Sequence, residues 1–258
     1  AGLGFHTDST KLAQYSPQIS GGNGRNINYV IDGGDNNDDT VGGLLQLFPL
    51  EAVHEFTVLT QRFDAEYGRS DGGVLNVVTK SGTNQLRGSW FTLSRDDAMN
   101  ARTFNEKVNL VDKQPYQRYQ FGGSVGGPIV LNRAHYFGAY ESTRQDTKQV
   151  VNTQGLVPAE DGVFPVAFRE HLLTGKLTAT FGPGQYASLR VARDHNTQPA
   201  GVTPIVAHSA WATSTNSFDS VNLNHNWLVR SSVLNETVVQ YSKVVNDMPA
   251  NSTGPSIV

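Results

Sequence analysis

The sequence predicts a mainly β protein in which a small α+β unit precedes a run of antiparallel strands. Before about residue 85, β-branched segments are mixed with Gly-rich turns and short helical turns; after it, strands of alternating apolar and polar residues follow one another. The charge changes at the same place, since residues 1–85 hold five basic and ten acidic residues and the remainder holds 15 and 13. We therefore expect two domains, residues 1–85 and 86–258.

Composition excludes several classes of protein. The 258 residues include 38% apolar residues and 26 Gly, which fits a folded chain, and the lack of Cys excludes disulfide frameworks, thiol chemistry and Cys-bound metals. The net charge of −3 argues against a nucleic-acid partner. Because the chain does not begin with methionine and residues 1–10 lack a signal-peptide pattern, we expect a mature protein or a piece of a longer one.

The first 85 residues predict three strands and their turns. Each strand is rich in β-branched residues, and an Asp-Gly-Gly-Asp run after the first is a strong turn signal. A Pro favours a helical turn before the second strand. The predicted segments are strands Asn28–Ile31, Glu55–Thr60 and Gly73–Thr79, the turn at 32–35, a helical turn at 49–54, and a short helix or turn at 62–67.

The strand segments of the remaining residues alternate between apolar and polar side chains, although His225 breaks the apolar set of one strand. Leu173, Leu177 and Phe181 are apolar, whereas Lys176 and Thr178 between them are polar. Because successive strand residues point to opposite faces, each strand has one apolar and one polar face. The predicted strands are 86–95, 117–126, 135–142, 171–181, 185–195, 217–229 and 233–245.

The connections between these strands alternate between long and short. The long ones span about 96–116, 143–170 and 196–216, and the others are short turns. This regularity predicts part of a transmembrane β-barrel, whose turns are short on the periplasmic side and long outside. A soluble β-sandwich also alternates apolar and polar residues and stays open as the alternative, although it gives no reason for regular loop lengths.

Three motifs together resemble one known family. They are a strand running into a turn (Val30–Gly33), a strand followed by a short helix and Gly (Val53–Thr60 and Phe63–Gly68), and the run GGVLNVVTK at 72–80. This stretch resembles the plug domain of TonB-dependent outer-membrane transporters of the Oar-like branch. Residues 86–100, 120–128 and 136–141 resemble the first barrel strands of the same family.

The resemblance implies a fold, a location and partners. Residues 1–85 would be the plug, and residues 86–258 would be about seven of the roughly 22 strands of such a barrel. The implied partners are TonB, reached through a segment upstream of this chain, the outer-membrane lipid of a Gram-negative bacterium, and an unknown ligand bound by the plug and the long loops. The implied function is gated uptake without catalysis or a cofactor.

One group of charged residues is a candidate for contact between plug and barrel. An acidic plug beside a slightly basic wall favours salt bridges across their interface, and we assign Glu66, Arg69 and Asp71 to it. The competing interpretation is that these are solvated charges in a turn.

Other motifs give no credible catalytic or metal site. Asp35–Asp39 has the oxygen spacing of a calcium loop, but Thr40 stands where the EF-hand needs Gly. Residues 68–72 match the nucleophile pattern GxSxG, yet they precede a strand instead of joining a strand to a helix. We therefore predict no enzyme, and the alternative function is a soluble, secreted β-rich binding or adhesion module.

Overall fold

The computed structural model confirms a mainly β protein. It describes residues 5–7, 15–20, 24–40, 42–60, 63–64, 67–70, 72–102, 104–108, 112–113 and 115–252. The described residues form a two-stranded pair, a four-stranded sheet and a seven-stranded sheet. Their α-helix is the single turn and a half of α1 (Phe104–Val108), and no helix among them is long and apolar enough to cross a membrane.

The N-terminal part of the chain, which we call the small unit, contains β1 to β6. β1 pairs with β2, and the four-stranded sheet has the order β4-β3-β6-β5 with β3 and β6 parallel. Ile27 and Tyr29 are buried beside Ile19 in its apolar core. The strands are β1 (Phe5–Thr7), β2 (Tyr15–Pro17), β3 (Asn28–Ile31), β4 (Gly34–Asp35), β5 (Val53–Thr60) and β6 (Gly73–Thr79), with 3₁₀ turns at Gly24–Asn26 and Leu50–Ala52.

The predicted Asp-Gly turn joins β3 to β4 in two residues. Ile31 pairs with Gly34, and Asp32 and Gly33 between them have φ values of 48° and 73°. Two positive φ angles are typical of a type I′ hairpin, which favours Asp-Gly because Asp tolerates the left-handed region and Gly has no Cβ. The turn presents the Asp32 side chain at the end of the small sheet.

The seven-stranded sheet, which we call the wall, follows chain order from β7 to β13. All neighbouring strands are antiparallel. The strands are β7 (Arg87–Asp96), β8 (Tyr116–Val130), β9 (Ala134–Val151), β10 (Gly162–Gly182), β11 (Gln185–Ala200), β12 (Ala212–Arg230) and β13 (Val233–Asp247), with 3₁₀ turns at Asp97–Met99, Pro158–Glu160 and His208–Ala210.

The number and order of wall strands agree with the sequence prediction, but their lengths do not. β9 and β10 contain 18 and 21 residues, so the predicted loop over 143–170 shrinks to residues 152–161. The loop predicted over 196–216 likewise shrinks to 201–211. The sequence predicts that each strand ends where the alternation of apolar and polar residues ends. In the structure the strands continue through polar sequence, because a neighbouring strand supplies backbone hydrogen bonds there.

The two faces of the wall have opposite polarity, as the alternation predicted. On the inner face, which meets the small unit, buried polar residues predominate: Glu141, Thr174, Lys176, Thr178, Ser188, Arg190, Asp194, Asn196, Ser220 and Asn222. On the outer face, apolar side chains are exposed: Leu173, Leu177, Phe181, Leu189, Val191, Val221, Leu223, Val239 and Tyr241. This distribution is the reverse of a water-soluble domain and suits a lipid environment.

The link from β6 to β7 crosses the wall at Gly82. A Cβ there would lie 2.8 Å from Gly127 O and would press even harder on Tyr136 O, both on wall backbone that cannot rotate away. Gly82→Ala should therefore destabilise the protein by about 1–3 kcal/mol, measured by thermal unfolding of the full-length protein in detergent.

Gly68 provides the matched control for this substitution. No atom lies within 4 Å of a Cβ placed at Gly68, so Gly68→Ala should leave the unfolding temperature nearly unchanged. Equal unfolding temperatures for the two variants would contradict the close approach at Gly82.

Candidate functional site

The most developed polar site of the molecule is the contact between the small unit and the inner face of the wall. Two segments of the small unit form it, the β3–β4 hairpin and the connection from Leu44 to Ala52. On the wall side most of the contacting residues come from β9 to β13, and Ser89 of β7 adds a further contact. The two surfaces are therefore joined by hydrogen bonds and ion pairs.

Asp32 is the centre of this contact. Its carboxylate lies 3.0 Å from Lys176 Nζ and 3.0 Å from Arg190 Nε, and the three side chains are exposed by only 3%, 6% and 2%. Lys176 and Arg190 lie directly opposite each other on β10 and β11. The hairpin thus places one buried negative charge between two buried positive charges.

Thr79, at the end of β6, completes the ligands of the Asp32 carboxylate. Its N–H donates to Asp32 Oδ1 at 2.9 Å and its hydroxyl donates to Oδ2 at 2.6 Å. Lys176 Nζ also donates to the Thr79 carbonyl and hydroxyl oxygens, at 3.2 and 3.0 Å. Because buried charges are costly without such partners, this network is what makes the ion cluster tolerable.

The 44–52 connection adds backbone hydrogen bonds to wall carboxylates. Leu47 N–H donates to Asp194 Oδ2 at 3.1 Å, and Leu50 N–H donates to Glu141 Oε2 at 3.0 Å. Since both carboxylates are buried on the inner face, they satisfy amides that form no regular ladder in this connection.

Gln46 bridges the same connection to β12. Its side chain donates to Phe218 O at 3.1 Å and accepts from the Ser220 hydroxyl at 2.7 Å. The buried Asn36 holds the Gln46 backbone from within the small unit, at 2.9 and 3.1 Å. Gln46 is therefore held from both sides of the contact.

The β3–β4 hairpin also contacts the far end of the wall. Asn224 Nδ2 donates to Asp32 O at 2.9 Å, and Gln240 Nε2 donates to Asp35 O at 2.5 Å. A Cβ at Gly34 would lie 2.5 Å from Asn222 Nδ2 and closer still to Gln240 Oε1, so a larger residue there would require these two side chains to move.

A smaller ionic contact lies at the opposite side, near β7. Glu51 accepts from the Ser89 hydroxyl at 2.5 Å and lies 3.5 Å from Lys80 Nζ. The hydrogen bond from Ser89 lowers the pKa of Glu51, the charge of Lys80 acts in the same direction, and desolvation opposes both.

A cavity of about 960 Å³ lies between the small unit and the wall, beside the Asp32 cluster. Its lining combines both parts of the molecule and includes Asp32, His54, Lys80, Lys176, Tyr186 and Glu236. The small unit therefore contacts the wall closely along one side and leaves an open space along another.

Of the three residues that the sequence predicts for the contact between plug and barrel, the structure describes Arg69. Arg69 pairs with Asp35 at 2.9 Å and with Asp39, both within the small unit. Glu66 and Asp71 lie outside the described residues. Arg69 approaches the wall only indirectly, because the backbone of its partner Asp35 accepts the hydrogen bond from Gln240.

Sequence reasoning identified Asp32 as part of a turn and missed its ionic role. The alternating pattern predicts Lys176 only as a polar residue of its strand, and Arg190 falls at a polar position of the next predicted strand, 185–195. A signal was present in the sequence, since Lys176 and Arg190 fall at inward-facing positions of adjacent predicted strands, and buried cations need an acidic partner. The sequence separation of 144 residues between Asp32 and Lys176 concealed the pairing.

The two motifs considered for other chemistry form local turns. The Asp35 and Asp39 carboxylates pair with the Arg69 guanidinium, and Asp38 Oδ1 accepts from Thr40 N at 2.7 Å. Ser70 Oγ accepts from Gly73 N at 2.8 Å within its own turn. In the described part of the chain, no three His, Cys, Asp or Glu side chains are grouped as metal ligands would be.

The polar inner face and the apolar outer face of the wall are typical of outer-membrane β-barrels, and comparison with known proteins agrees with this fold. Residues 78–164 match the family model described as outer membrane beta barrel domain. The chain is 29% identical over 164 residues to the TonB-dependent transporter Oar of Myxococcus xanthus, a match covering 59% of this chain and 16% of Oar.

Solved structures show the same fold. The chain resembles the transporter YddB from Escherichia coli, with a TM-score of 0.67, 13% identity, and coverage of 89% of this chain and 33% of YddB. For the siderophore receptor PirA from Pseudomonas aeruginosa the TM-score is 0.60 and the identity 20%, with coverage of 90% of this chain and 35% of PirA. For a variant of the ferric enterobactin receptor PfeA from the same species the TM-score is 0.62 and the identity 16%, with coverage of 95% of this chain and 37% of PfeA.

These comparisons confirm the resemblance to TonB-dependent outer-membrane transporters. They indicate the outer membrane of a Gram-negative bacterium as the location. The chain spans 16% of the length of Oar and 33% of that of YddB.

Replacing Asp32 should detach the small unit from the wall. Asp32→Asn removes the charge between Lys176 and Arg190 and leaves two buried cations uncompensated, which should cost about 3–5 kcal/mol. Thermal unfolding of the full-length protein and trypsin cleavage within the small unit would measure the effect. Adding Lys176→Met should recover part of the loss, because it removes one unpaired charge.

Asp39→Asn is the control for this experiment. Asp39 also pairs with an arginine, but its side chain is 79% exposed, so its loss should cost less than about 1 kcal/mol. If Asp32→Asn were as mild as Asp39→Asn, the ion cluster would not be what attaches the small unit.

The Glu51 contact should weaken in acid. Because the folded state lowers the pKa of Glu51, its contribution is present at neutral pH and is lost as pH falls below the ordinary value of 4.5. Glu51→Gln should therefore reduce the fall in unfolding temperature between pH 5 and about pH 3. Glu55→Gln, at an exposed carboxylate on β5, should preserve the wild-type acid profile.

Proposed function

We propose that residues 1–85 form the plug and residues 86–258 the first seven barrel strands of a TonB-dependent outer-membrane transporter. In this proposal the complete protein takes up an unidentified ligand across the outer membrane, and TonB drives the step through a segment outside this chain. The similarity to Oar and to three receptor or transporter structures supports the class.

The observation that carries the proposal is the reversed polarity of the wall. Its apolar outer face is exposed, and its polar inner face is buried against the small unit. From Phe181 to Leu173 the outer apolar residues of β10 span eight residues, roughly 20 Å in height for a tilted strand and close to the apolar band of outer-membrane barrels. Polar side chains facing inward need a polar occupant, which the small unit provides.

The polar contact is suited to a plug that must come loose. Hydrogen bonds and ion pairs to Asp32, Gln46, Leu47 and Leu50 are directional, and water can replace each of them once the contact opens. The cavity of about 960 Å³ beside them is the route that we assign to the ligand. Ligand recognition would fall on the plug and on the long connections at 97–115, 152–161 and 201–211.

Arg69, with Glu66 and Asp71, remains part of this proposal as a plug–barrel contact. The support is indirect: Arg69 pairs with Asp35, and Asp35 O accepts from Gln240 of β13. In this proposal Arg69 stabilises the β3–β4 hairpin, to which Gln240 of the wall donates a hydrogen bond.

A soluble, secreted binding or adhesion module is not favoured. Such a protein would bury the apolar faces of its sheets against each other, whereas Leu173, Leu177 and Phe181 are 52%, 49% and 68% exposed. The relatives are transporters and receptors, which supports a protein without catalytic activity.

Deletion of residues 1–85 from the full-length protein tests the plug assignment. An open barrel should admit vancomycin, which the outer membrane normally excludes, so cells that produce the deletion variant should become at least tenfold more sensitive to it. Cells that produce equal amounts of Gly68→Ala should show wild-type resistance. Unchanged resistance, with the deletion variant folded in the outer membrane, would refute the assignment.

A further inference from the structure

The outer face of the wall carries a second feature, a group of cations directly above its apolar part. The side chains of Arg144, Arg169 and Arg193 are 64%, 36% and 56% exposed there. We call these three residues the basic rim. Strand register places them on the outer face, because Arg193 pairs with Leu173 and Arg169 pairs with Arg144.

The basic rim begins where the apolar surface ends. The large apolar side chains on the outer face of β10 are those of Phe181, Leu177 and Leu173, all exposed, and His171 separates Leu173 from Arg169. Arg169 lies four residues beyond Leu173, which is roughly 10 Å in height for a tilted strand. A lipid headgroup layer has about this thickness, so the rim lies at headgroup height.

Polar aromatic contacts mark the same boundary. Tyr140 OH lies 2.7 Å from His171 Nδ1, and the Phe121 ring lies 6.2 Å from the Tyr140 ring. All three side chains are on the outer face, between the apolar surface and Arg144. Aromatic side chains with a polar tip favour the interface between lipid tails and headgroups.

The charges of the rim are not balanced by their neighbours. Arg144 on β9 and Arg169 on β10 are in direct register on adjacent strands. Both pair with the Asp146 carboxylate, Arg144 Nε at 3.0 Å and Arg169 Nη2 at 2.5 Å. Two like charges in direct register are unfavourable unless anions lie between them, and one carboxylate neutralises only one of them. Arg193 lies 3.7 Å from Asp219, which is also in register with Lys243.

We propose that the basic rim binds the phosphate groups of a phosphorylated glycolipid in the outer leaflet. Guanidinium groups form paired hydrogen bonds with phosphate, and three of them above an apolar surface match a ligand with an anionic head and acyl chains. The acyl chains would lie along Leu173, Val191 and Val221. The inference rests on the proposed orientation of the wall, in which the short turns face the periplasm.

The test uses the full-length protein, purified in detergent and mixed with diphosphoryl lipid A. Native mass spectrometry would count bound lipid for wild type and for Arg144→Gln/Arg169→Gln. The double variant should bind roughly tenfold more weakly or worse, because each cation near an anionic lipid surface contributes to affinity. Arg133→Gln/Arg230→Gln removes the same charge from exposed positions at the opposite end of the wall and should bind as wild type does.

Two further probes separate a lipid site from a simple anion site. Dephosphorylated lipid A should bind weakly to all variants, and millimolar inorganic phosphate should not displace the diphosphoryl lipid. Equal losses in both double variants, equal binding of the dephosphorylated lipid, or displacement by inorganic phosphate would each overturn the proposal. None of these outcomes bears on vancomycin exclusion, so the plug assignment is tested separately.

Discussion

One carboxylate between two cations attaches the small unit to the wall. Asp32, Lys176 and Arg190 are almost fully buried, and the ion cluster is supported by Thr79. The attachment takes this form because the wall exposes most of its apolar side chains outward. Its inner face therefore offers mainly polar groups, and the apolar contact with the small unit is a small cluster of Ala52, Phe137 and Ala139. The hydrophobic effect, which stabilises most contacts between parts of a domain, therefore contributes little here. Ion pairs and hydrogen bonds of well-defined geometry stabilise the contact instead.

The same constraint explains the other contacts of the small unit. Irregular backbone at Leu47 and Leu50 finds its acceptors in Asp194 and Glu141 of the wall, and Gln46 bonds to β12. Such a contact is specific and still reversible, because water can hydrogen-bond to each of these groups when the two surfaces separate. For the plug that we propose, this balance would combine firm attachment at rest with a limited free-energy cost of detachment.

How much was predictable differed between the two parts of the molecule. Alternation in segments such as 171–181 and 185–195 was enough to predict strands and their faces, because period-two patterning is local. It failed at the strand ends, where β9 and β10 continue through polar residues that only a paired neighbour keeps extended. The Asp-Gly turn was also predictable, whereas the ion pairs of Asp32 and the true partners of Arg69 were not, since partners distant in sequence meet only in the folded protein.

The sequence by itself determined the mainly β class, the polarity of each strand face and the turn at Asp32. These depend on local backbone preferences and on periodicity, which are readable without neighbours. The tertiary structure decided the lengths of the wall strands, the choice of Lys176 and Arg190 as partners of Asp32, and the gathering of Arg144, Arg169 and Arg193 into one rim. Each of these depends on register between strands, and register is fixed only when the whole sheet assembles.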